Sequence, residues 1–573
     1  MTIIKKILKF FLYTVAGLFA GMLVLIFFAN TLFRITPPET NFTKNITYRT
    51  SVHIQTNNNT VYTTLGKARM WRNGGIRQVY SEGSPYEIGY TLTRLCADKM
   101  HVQEKILLEA GKDFVPSSLM QALMIRIIHT LSWFVEKNIP AEYLEEIYGS
   151  SMGYENRHPG FGNLYQRLIF YHSLHDFAHL FMDTPLVERK EDMVGCTAFG
   201  VKGSYTTDGR MLCGRNFDFD VHSVFDEDKV VFHIRPEKGI PFTSVSWGGM
   251  TGAMTGVNTE KLFVAINAIR TSDTALWGYP TSLVVRQILQ YAHNIPEAIT
   301  ILKNARIFVS DLFFIADGKN NIFAVIEKTP TRMHVNYYTN DSVIVPNHIL
   351  SGPFTDDPEN IAQKLRNTTV QRYERMKELL SQNKGKINYL LAASIMRDRR
   401  GQGGKNLGNG NRNTINALIA THGVIFDGKH GILWISDKPH LLGSFYPADP
   451  FTVFDQRTHT PPGITIIPQD PFLNSGYQNY LEYKETIRQV RNILDSGKAA
   501  DFSNGLLPAI HRCKEINPFF FEVHETEGDL LHALGIHAEA VTAYKKALEA
   551  FPHFFAVRER IKNKIKVIEE QNY

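Results

Sequence analysis

Apolar residues change their spacing several times along the chain, and each change marks a different kind of element. Lys5, Lys6 and Lys9 precede a run from Phe10 to Ala29 without a charge, about the twenty residues a helix needs to cross a bilayer. Phe27 and Ala29 do not supply the two small residues a signal peptidase requires, so residues 1–30 are expected to form a retained signal anchor. Its basic end would face the cytoplasm and the bulk of the chain would lie outside. Residues 31–64 read as a polar, Asn- and Thr-rich stalk with Pro37-Pro38. Helical spacing through Leu119–Val135 and Leu164–Phe181 marks 65–195 as helix-rich. From 196 to about 455 the runs become strand-like, at Val230–Ile234, Leu262–Ile266, Leu312–Ala316, Ile322–Glu327, Ile419–Phe426 and Ile432–Ser436. Helical patterns interrupt them at Ser282–Tyr291, Pro296–Lys303 and Val370–Leu380. Residues 475–573 return to a charged helical pattern.

Composition narrows the function classes. With 43% hydrophobic and 21% charged residues the chain has enough apolar material for a large core. A net charge of +6 over 573 residues, with no basic stripe interleaved with aromatics, excludes nucleic acid as a natural partner. Four cysteines are too few for a disulfide-built fold, and Cys96, Cys213 and Cys513 lack metal-ligand spacing. No metal or cofactor is called for.

The chemistry concentrates around Cys196. The chain reads Gly195-Cys196-Thr197-Ala198-Phe199 and then Asp208-Gly209-Arg210-Met211-Leu212-Cys213-Gly214-Arg215-Asn216-Phe217-Asp218. This is the pattern of a hairpin with a tight turn at Asp208-Gly209, which returns Arg215 and Asp218 to the side of Cys196. A lone cysteine is more often a buried core residue, and Arg215 with Asp218 could be a structural ion pair. Thiol, cation and carboxylate at hairpin distance instead describe a reactive site. Asp208 is accounted for by its turn, and Asp220 lies beyond the motif. His222 and His233 have no motif context and read as solvent-facing or capped.

This constellation resembles the N-terminal-nucleophile (Ntn) hydrolases. The resemblance is to the group that joins acyl-coenzyme A:6-aminopenicillanate acyltransferase, choloylglycine hydrolases and acid ceramidase. Further motifs follow in the family's order over about residues 80–440. They are Gly83-Ser84-Pro85-Tyr86-Glu87-Ile88-Gly89, Gly256-Val257-Asn258 with the strand to Asn267, Val345-Pro346-Asn347-His348, and Thr369-Val370-Gln371-Arg372-Tyr373. The resemblance implies an α+β, four-layer αββα sandwich and a catalytic domain at 196–455. It also implies self-cleavage of the Gly195–Cys196 bond, with the segment 65–195 on the propeptide side. The freed Cys196 would then attack an amide or acyl-thioester carbonyl, with its own α-amine as base. Thiol and α-amine ionise close enough to neutrality to exchange a proton at little cost, and Gly195 leaves the scissile bond sterically open.

Arg215 would orient the amine or the substrate carbonyl, and Asp218 would hold the ammonium form. Asn347 is the first choice for the oxyanion donor. Asn267 is favoured over Asn258 as a second, because it follows an apolar strand; any of the three could instead be a turn former or cap. Asn258, Arg372 and His348 are assigned to substrate binding or positioning. Cys213, near Cys196 on the hairpin, could trap it by oxidation, and Cys96 with Cys513 is a conceivable pair.

Two segments stand apart. Arg397–Asn413 lacks both the Walker and the dinucleotide glycine patterns; it reads as a flexible loop or as a flap placing Arg399, Arg400, Lys405 or Arg412 near an anionic substrate. Phe521–Pro552 carries Gly528, Ala540, Tyr544, Ala547 and Pro552, which resembles one tetratricopeptide repeat, with Asn474–Pro518 as a degenerate partner. This end is either a helical cap or a docking site for a protein partner. Two function classes result: an anchored, self-processing hydrolase or acyltransferase acting on an N-acyl amide or acyl-thioester, or an inert scaffold that binds a partner through its C-terminal helices.

Overall fold

The computed structural model describes residues 53–57, 60–114, 117–181, 195–220 and 222–571, with isolated positions among the first 38. Apart from the isolated positions Gly17, Gly21 and Phe28, the expected anchor, 1–30, lies outside the described residues. Among those described, one helix, Ser118–Glu136, is long and apolar enough to cross a membrane.

The fold is mixed α+β with two sheets. The strands are β1 (His53–Asn57), β2 (Thr60–Leu65), β3 (Ala68–Asn73), β4 (Ile76–Gly83), β5 (Thr197–Gly203), β6 (Gly209–Asp218), β7 (Val230–Pro236), β8 (Phe242–Ser246) and β9 (Thr255–Asn258). They continue with β10 (Leu262–Ala268), β11 (Asp311–Asp317), β12 (Ile322–Lys328), β13 (Met333–Tyr338), β14 (Ser342–Val345), β15 (Ala420–Asp427), β16 (Ile432–Ser436) and β17 (Phe445–Ala448). Eleven strands form one sheet in the order β1-β2-β3-β4-β7-β8-β9-β10-β11-β12-β13, and six form the other in the order β14-β5-β6-β15-β16-β17.

Alternation along the strands decides which layer each residue meets. Phe263 and Ala265 of β10 join Ala198, Met211, Cys213, Val424 and Phe426 in the core between the sheets. Leu262, Val264 and Ile266 point the other way, into a core with Leu283, Ile288 and Leu289 of the helix Thr281–Tyr291. On the outer face of the small sheet, Phe199, Leu212, Ile425 and Trp434 pack against Met376, Leu380, Ala392 and Ile395 from the helices Thr369–Gln382 and Tyr389–Met396. The helices at the C-terminal end, including Tyr477–Asp495, Ser503–Ile516, Phe521–Ala533, His537–Glu549 and Phe555–Gln571, form a core of their own that also takes in Leu418 and Leu442.

Several sequence expectations need correction. The stretch 31–64 is not purely a stalk, and 65–195 is not purely helical, because β1 to β4 occupy 53–83 and extend the large sheet. Polar residues interrupt β1 and β2 and charged ones β3 and β4, and Arg77 and Gln78 are buried, so the apolar signal is weak. The large sheet is not wholly antiparallel, since β4 pairs with β7 in parallel from Arg77↔Val230 to Gly83↔Pro236. The β5–β6 connection is the longer loop 204–208 rather than a tight turn. The Gly83–Gly89 motif is a helix start. The Ser84 hydroxyl accepts from the Glu87 N–H at 3.4 Å, and the Glu87 carboxylate accepts from the Ser84 N–H at 3.0 Å, closing a capping box.

Candidate active site

Strand pairing builds the site. β5 and β6 pair with Thr197 opposite Asn216 and Ala198 opposite Arg215, and the Gly195 N–H donates to the Asp218 carbonyl at 3.2 Å. Cys196 shares the face of Ala198, and Arg215 that of Cys213, so thiol and guanidinium both point between the sheets. Cys196 is 1% exposed. Burial raises its thiol pKa, opposed by the positive charge of Arg215.

Arg215 spans the gap between the sheets. Its Nη2 donates to the Ile266 carbonyl at 2.5 Å and lies 3.8 Å from Cys196 Sγ. Its Nη1 donates to Thr255 Oγ1 at 2.6 Å and to His422 Nε2 at 3.0 Å. Burial brings its pKa down to about 10, with partial compensation from Cys196 and Asp218. His422 is held neutral, well below its usual range, by burial and by Arg215, so its Nε2 accepts. Thr255 and His422 were not anticipated; a histidine inside the apolar strand β15 was the available signal, and its partner Arg215 is 207 residues away in sequence.

Asp218 is buried with Oδ1 unpaired. Burial pushes its carboxyl up to about 7, against the pull of Arg372, Arg412 and Arg215. Arg372 donates through Nη1 to the Cys196 carbonyl and, at 2.7 Å, to Thr197 Oγ1; its Nη2 donates to Asn347 Oδ1 at 2.9 Å. Arg372 thus stands on the Cys196–Thr197 peptide, beside the thiol residue itself.

Asn347 and Asn267 brace the two sheets reciprocally. Asn267 Nδ2 donates to the carbonyls of Val345 at 2.7 Å and Pro346 at 3.2 Å, and Asn347 Nδ2 donates to the Ala268 carbonyl at 2.9 Å. Two bonds engage both N–H groups of Asn267, whereas one bond engages only one of Asn347's. His348 is a supporting residue: its Nδ1 meets Thr369 Oγ1 at 2.9 Å, and burial takes its pKa down to about 3. Asn258 is not brought to this site. Its Nδ2 donates to the carbonyls of Leu289 and Ala292, and its Oδ1 accepts from the N–H groups of Glu260 and Leu262. That is the work of a loop brace, which a Gly-x-Asn motif alone does not distinguish from a ligand.

Of the other expectations, those for Asp208 and His222 agree with the structure and those for the cysteine pairs do not. Cys213 lies opposite Gly200, roughly four residues and 13 Å along the hairpin from Cys196, too far for a disulfide. All four cysteines are free, Cys96 and Cys513 included. His233 is buried, between Thr243 Oγ1 at 2.8 Å and Gln78 Oε1 at 3.0 Å, while His222 is exposed. Asp208 caps its turn by accepting from the Arg210 N–H. Among the loop cations, Arg399 pairs with Asp470 at 3.0 Å and Lys405 lies over the Phe551 ring.

A family model described as acyl-coenzyme A:6-aminopenicillanic acid acyl-transferase matches residues 205–436, beginning just after Cys196. An uncharacterized protein of Archaeoglobus fulgidus is 28% identical over 45% of this chain and 44% of its own length. Protein dcd1B of Dictyostelium discoideum is 23% identical over 43% and 49%. The chain thus spans about half the length of the curated relatives it matches. Among solved structures, the Caenorhabditis elegans ortholog of N-acylethanolamine-hydrolyzing acid amidase is 13% identical, with 41% of this chain and 93% of that chain covered and a TM-score of 0.30. A mutant of conjugated bile acid hydrolase from Clostridium perfringens is 14% identical, with 47% and 95% covered and a TM-score of 0.32. The segment 205–436, which holds Arg215, Asp218, Asn347 and Arg372, is thus similar to the acyl-coenzyme A:6-aminopenicillanic acid acyl-transferase family.

Proposed function

We propose that this protein is a self-processing amide hydrolase or acyltransferase of the Ntn type, with Cys196 as nucleophile. The observation that carries the reading is the convergence of Cys196, Arg215, Asp218 and Arg372 in one buried site, with Arg372 donating to the carbonyl that follows the scissile bond.

In the first step, Cys196 Sγ attacks the Gly195 carbonyl. The C–N bond breaks as the C–S bond forms, and the thiol proton passes to the departing amine. Water then hydrolyses the thioester, leaving the Gly195 carboxylate and a Cys196 with free thiol and α-amine. In turnover, the α-amine takes the thiol proton while Sγ adds to a substrate carbonyl, and delivers it to the leaving amine as the acyl-thioester forms. Water or a second amine then accepts the acyl group. The second N–H of Asn347 is the side-chain donor for the developing oxyanion; both of Asn267's are engaged with backbone. Asp218 holds the α-ammonium, and Arg215 keeps a positive charge 3.8 Å from Sγ.

Hydrolysis of an N-acyl amide is the favoured outcome on an extracytoplasmic face, where acyl-coenzyme A is scarce. The basic and apolar start of the sequence supports that location and a membrane-proximal, amphipathic substrate. The reading is tested by acid-quenching the protein soon after mixing with a long-chain N-acyl amide. A mass increase of one acyl group on a fragment that begins at Cys196 is expected; an acyl-free fragment alongside substrate turnover would exclude the covalent mechanism.

A further inference from the structure

The stretch Arg397–Asn413 and the C-terminal helices have no part in the chemistry above, yet the structure ties them together. The Asn409 N–H donates to Asn517 Oδ1, and Asn517 Nδ2 donates back to the Asn409 carbonyl, both at 2.9 Å. Asn411 Nδ2 donates to the Phe551 carbonyl at 3.2 Å, and the Arg412 N–H to His553 Nδ1 at 3.4 Å. Gly408 and Gly410, at φ +80° and +92°, press the loop against the helices. A methyl group would stand 2.5 Å from Phe520 Cβ at the first and 2.6 Å from the Tyr480 hydroxyl at the second. This end of the loop is clamped and is no open flap.

Arg412 extends from the clamp to the scissile junction. It is 6% exposed, and its Nη1 donates to Asp220 at 3.3 Å. A methyl group built on Gly195 would lie 3.4 Å from Arg412 Nη2, 3.7 Å from Arg372 Nη2 and 3.8 Å from Asp218 Oδ2. Two guanidinium groups therefore converge on the same few ångströms, one from the helix Thr369–Gln382 and one from the loop held by the C-terminal helices.

We propose that Arg412 is a positioning residue for the Gly195–Cys196 bond and the Asp218 carboxylate, and that the C-terminal helical unit acts on the active site by holding Arg412 in place. The proposal rests on the self-processing reading. Charges in a buried site act on each other far more strongly than at the surface. The groups facing Asp218 are Arg215, Arg372, Arg412, Asp220 and the Cys196 thiol. Arg412 and Arg372 both favour the carboxylate form of Asp218, which stabilises the Cys196 nitrogen as it takes up the thiol proton and departs from Gly195, so removing Arg412 makes Asp218 harder to ionise.

The test follows release of the fragment beginning at Cys196 in the full chain, across pH, for wild type, Arg412→Ala, Arg412→Lys, Asn517→Ala and the double variant Arg412→Ala/Asn517→Ala. Arg412→Ala is expected to slow cleavage tenfold or more and to move the acid limb to higher pH. Arg412→Lys should restore the limb but only part of the rate, because it keeps the charge and loses the fork. Asn517→Ala should slow cleavage several-fold, and the double variant should be no slower than Arg412→Ala alone. A shifted acid limb separates positioning from a folding defect, which would lower the yield at every pH alike. Arg412→Ala cleaving at the wild-type rate, or effects that multiply in the double variant, would overturn the proposal while leaving self-processing intact. A wild-type chain that never cuts would overturn the underlying reading and this proposal with it.

Discussion

Asp218 shows how burial and charge compete at a single residue. Its carboxyl is pushed up to about 7 by burial, against about 3.9 in an unfolded chain, so folding takes up a proton between those values. The sign follows: this contribution to stability is full below about pH 4 and is lost as pH rises through 7. In the uncut Cys196→Ala background, adding Asp218→Asn should therefore flatten the loss of stability between pH 5 and pH 8, by roughly 1–3 kcal/mol. Denaturant melts at the two pH values check this; equal slopes in both chains would contradict it. Asn347 gives a second prediction at this scale. Loss of its spare N–H in Asn347→Ala should lower kcat by about 10²–10³ with a smaller change in KM, measured on protein that has already been cut. The sequence order of motifs was enough to read the thiol, Arg215, Asp218, Asn347 and Arg372 as one group. Thr255 and His422 were not legible as site neighbours, and Arg412 was one of four loop cations that the sequence could not tell apart, because each reaches the site through pairings across 40 to more than 200 residues that no local spacing records.

At the scale of elements, β-branched and aromatic runs marked β7, β10, β11, β12, β15 and β16, whose residues are almost all buried. β1 to β4 escaped because they sit at one end of the large sheet, where polar and charged side chains alternate with apolar ones. The loop Arg397–Asn413 looked free because glycines signal flexibility in sequence, whereas here they allow close approach to Phe520 and Tyr480. The C-terminal helices offer a sharper test of that logic. A methyl group on Gly528 would stand 2.5 Å from the ring of Tyr544, whose hydroxyl is fixed on Asp529 Oδ1 at 2.7 Å. Gly528→Ala should force apart the helices Phe521–Ala533 and His537–Glu549 and cost about 1–3 kcal/mol. Thermal melts would show it, and an unchanged melting temperature would mean that Tyr544 moves aside at no cost.

For the whole molecule, the parallel pairing of β4 with β7 has a consequence for the cut chain. β1 to β4 and the helices up to Phe181 precede Cys196, yet they share one sheet and one core with strands that follow it. Cleavage should therefore release no fragment: both pieces should elute together in native gel filtration and separate only in denaturant. Separation under native conditions would mean that the shared core is not enough to hold them.

The central claim is that Cys196 becomes an N-terminal nucleophile by cutting the bond before it. Intact mass and N-terminal sequencing of the purified full chain, beside Cys196→Ala, test it most directly. The account predicts a fragment beginning Cys196-Thr197-Ala198 in the wild type and one uncut chain in the variant. An uncut wild-type chain would contradict it and favour an inert fold whose C-terminal helices serve a partner.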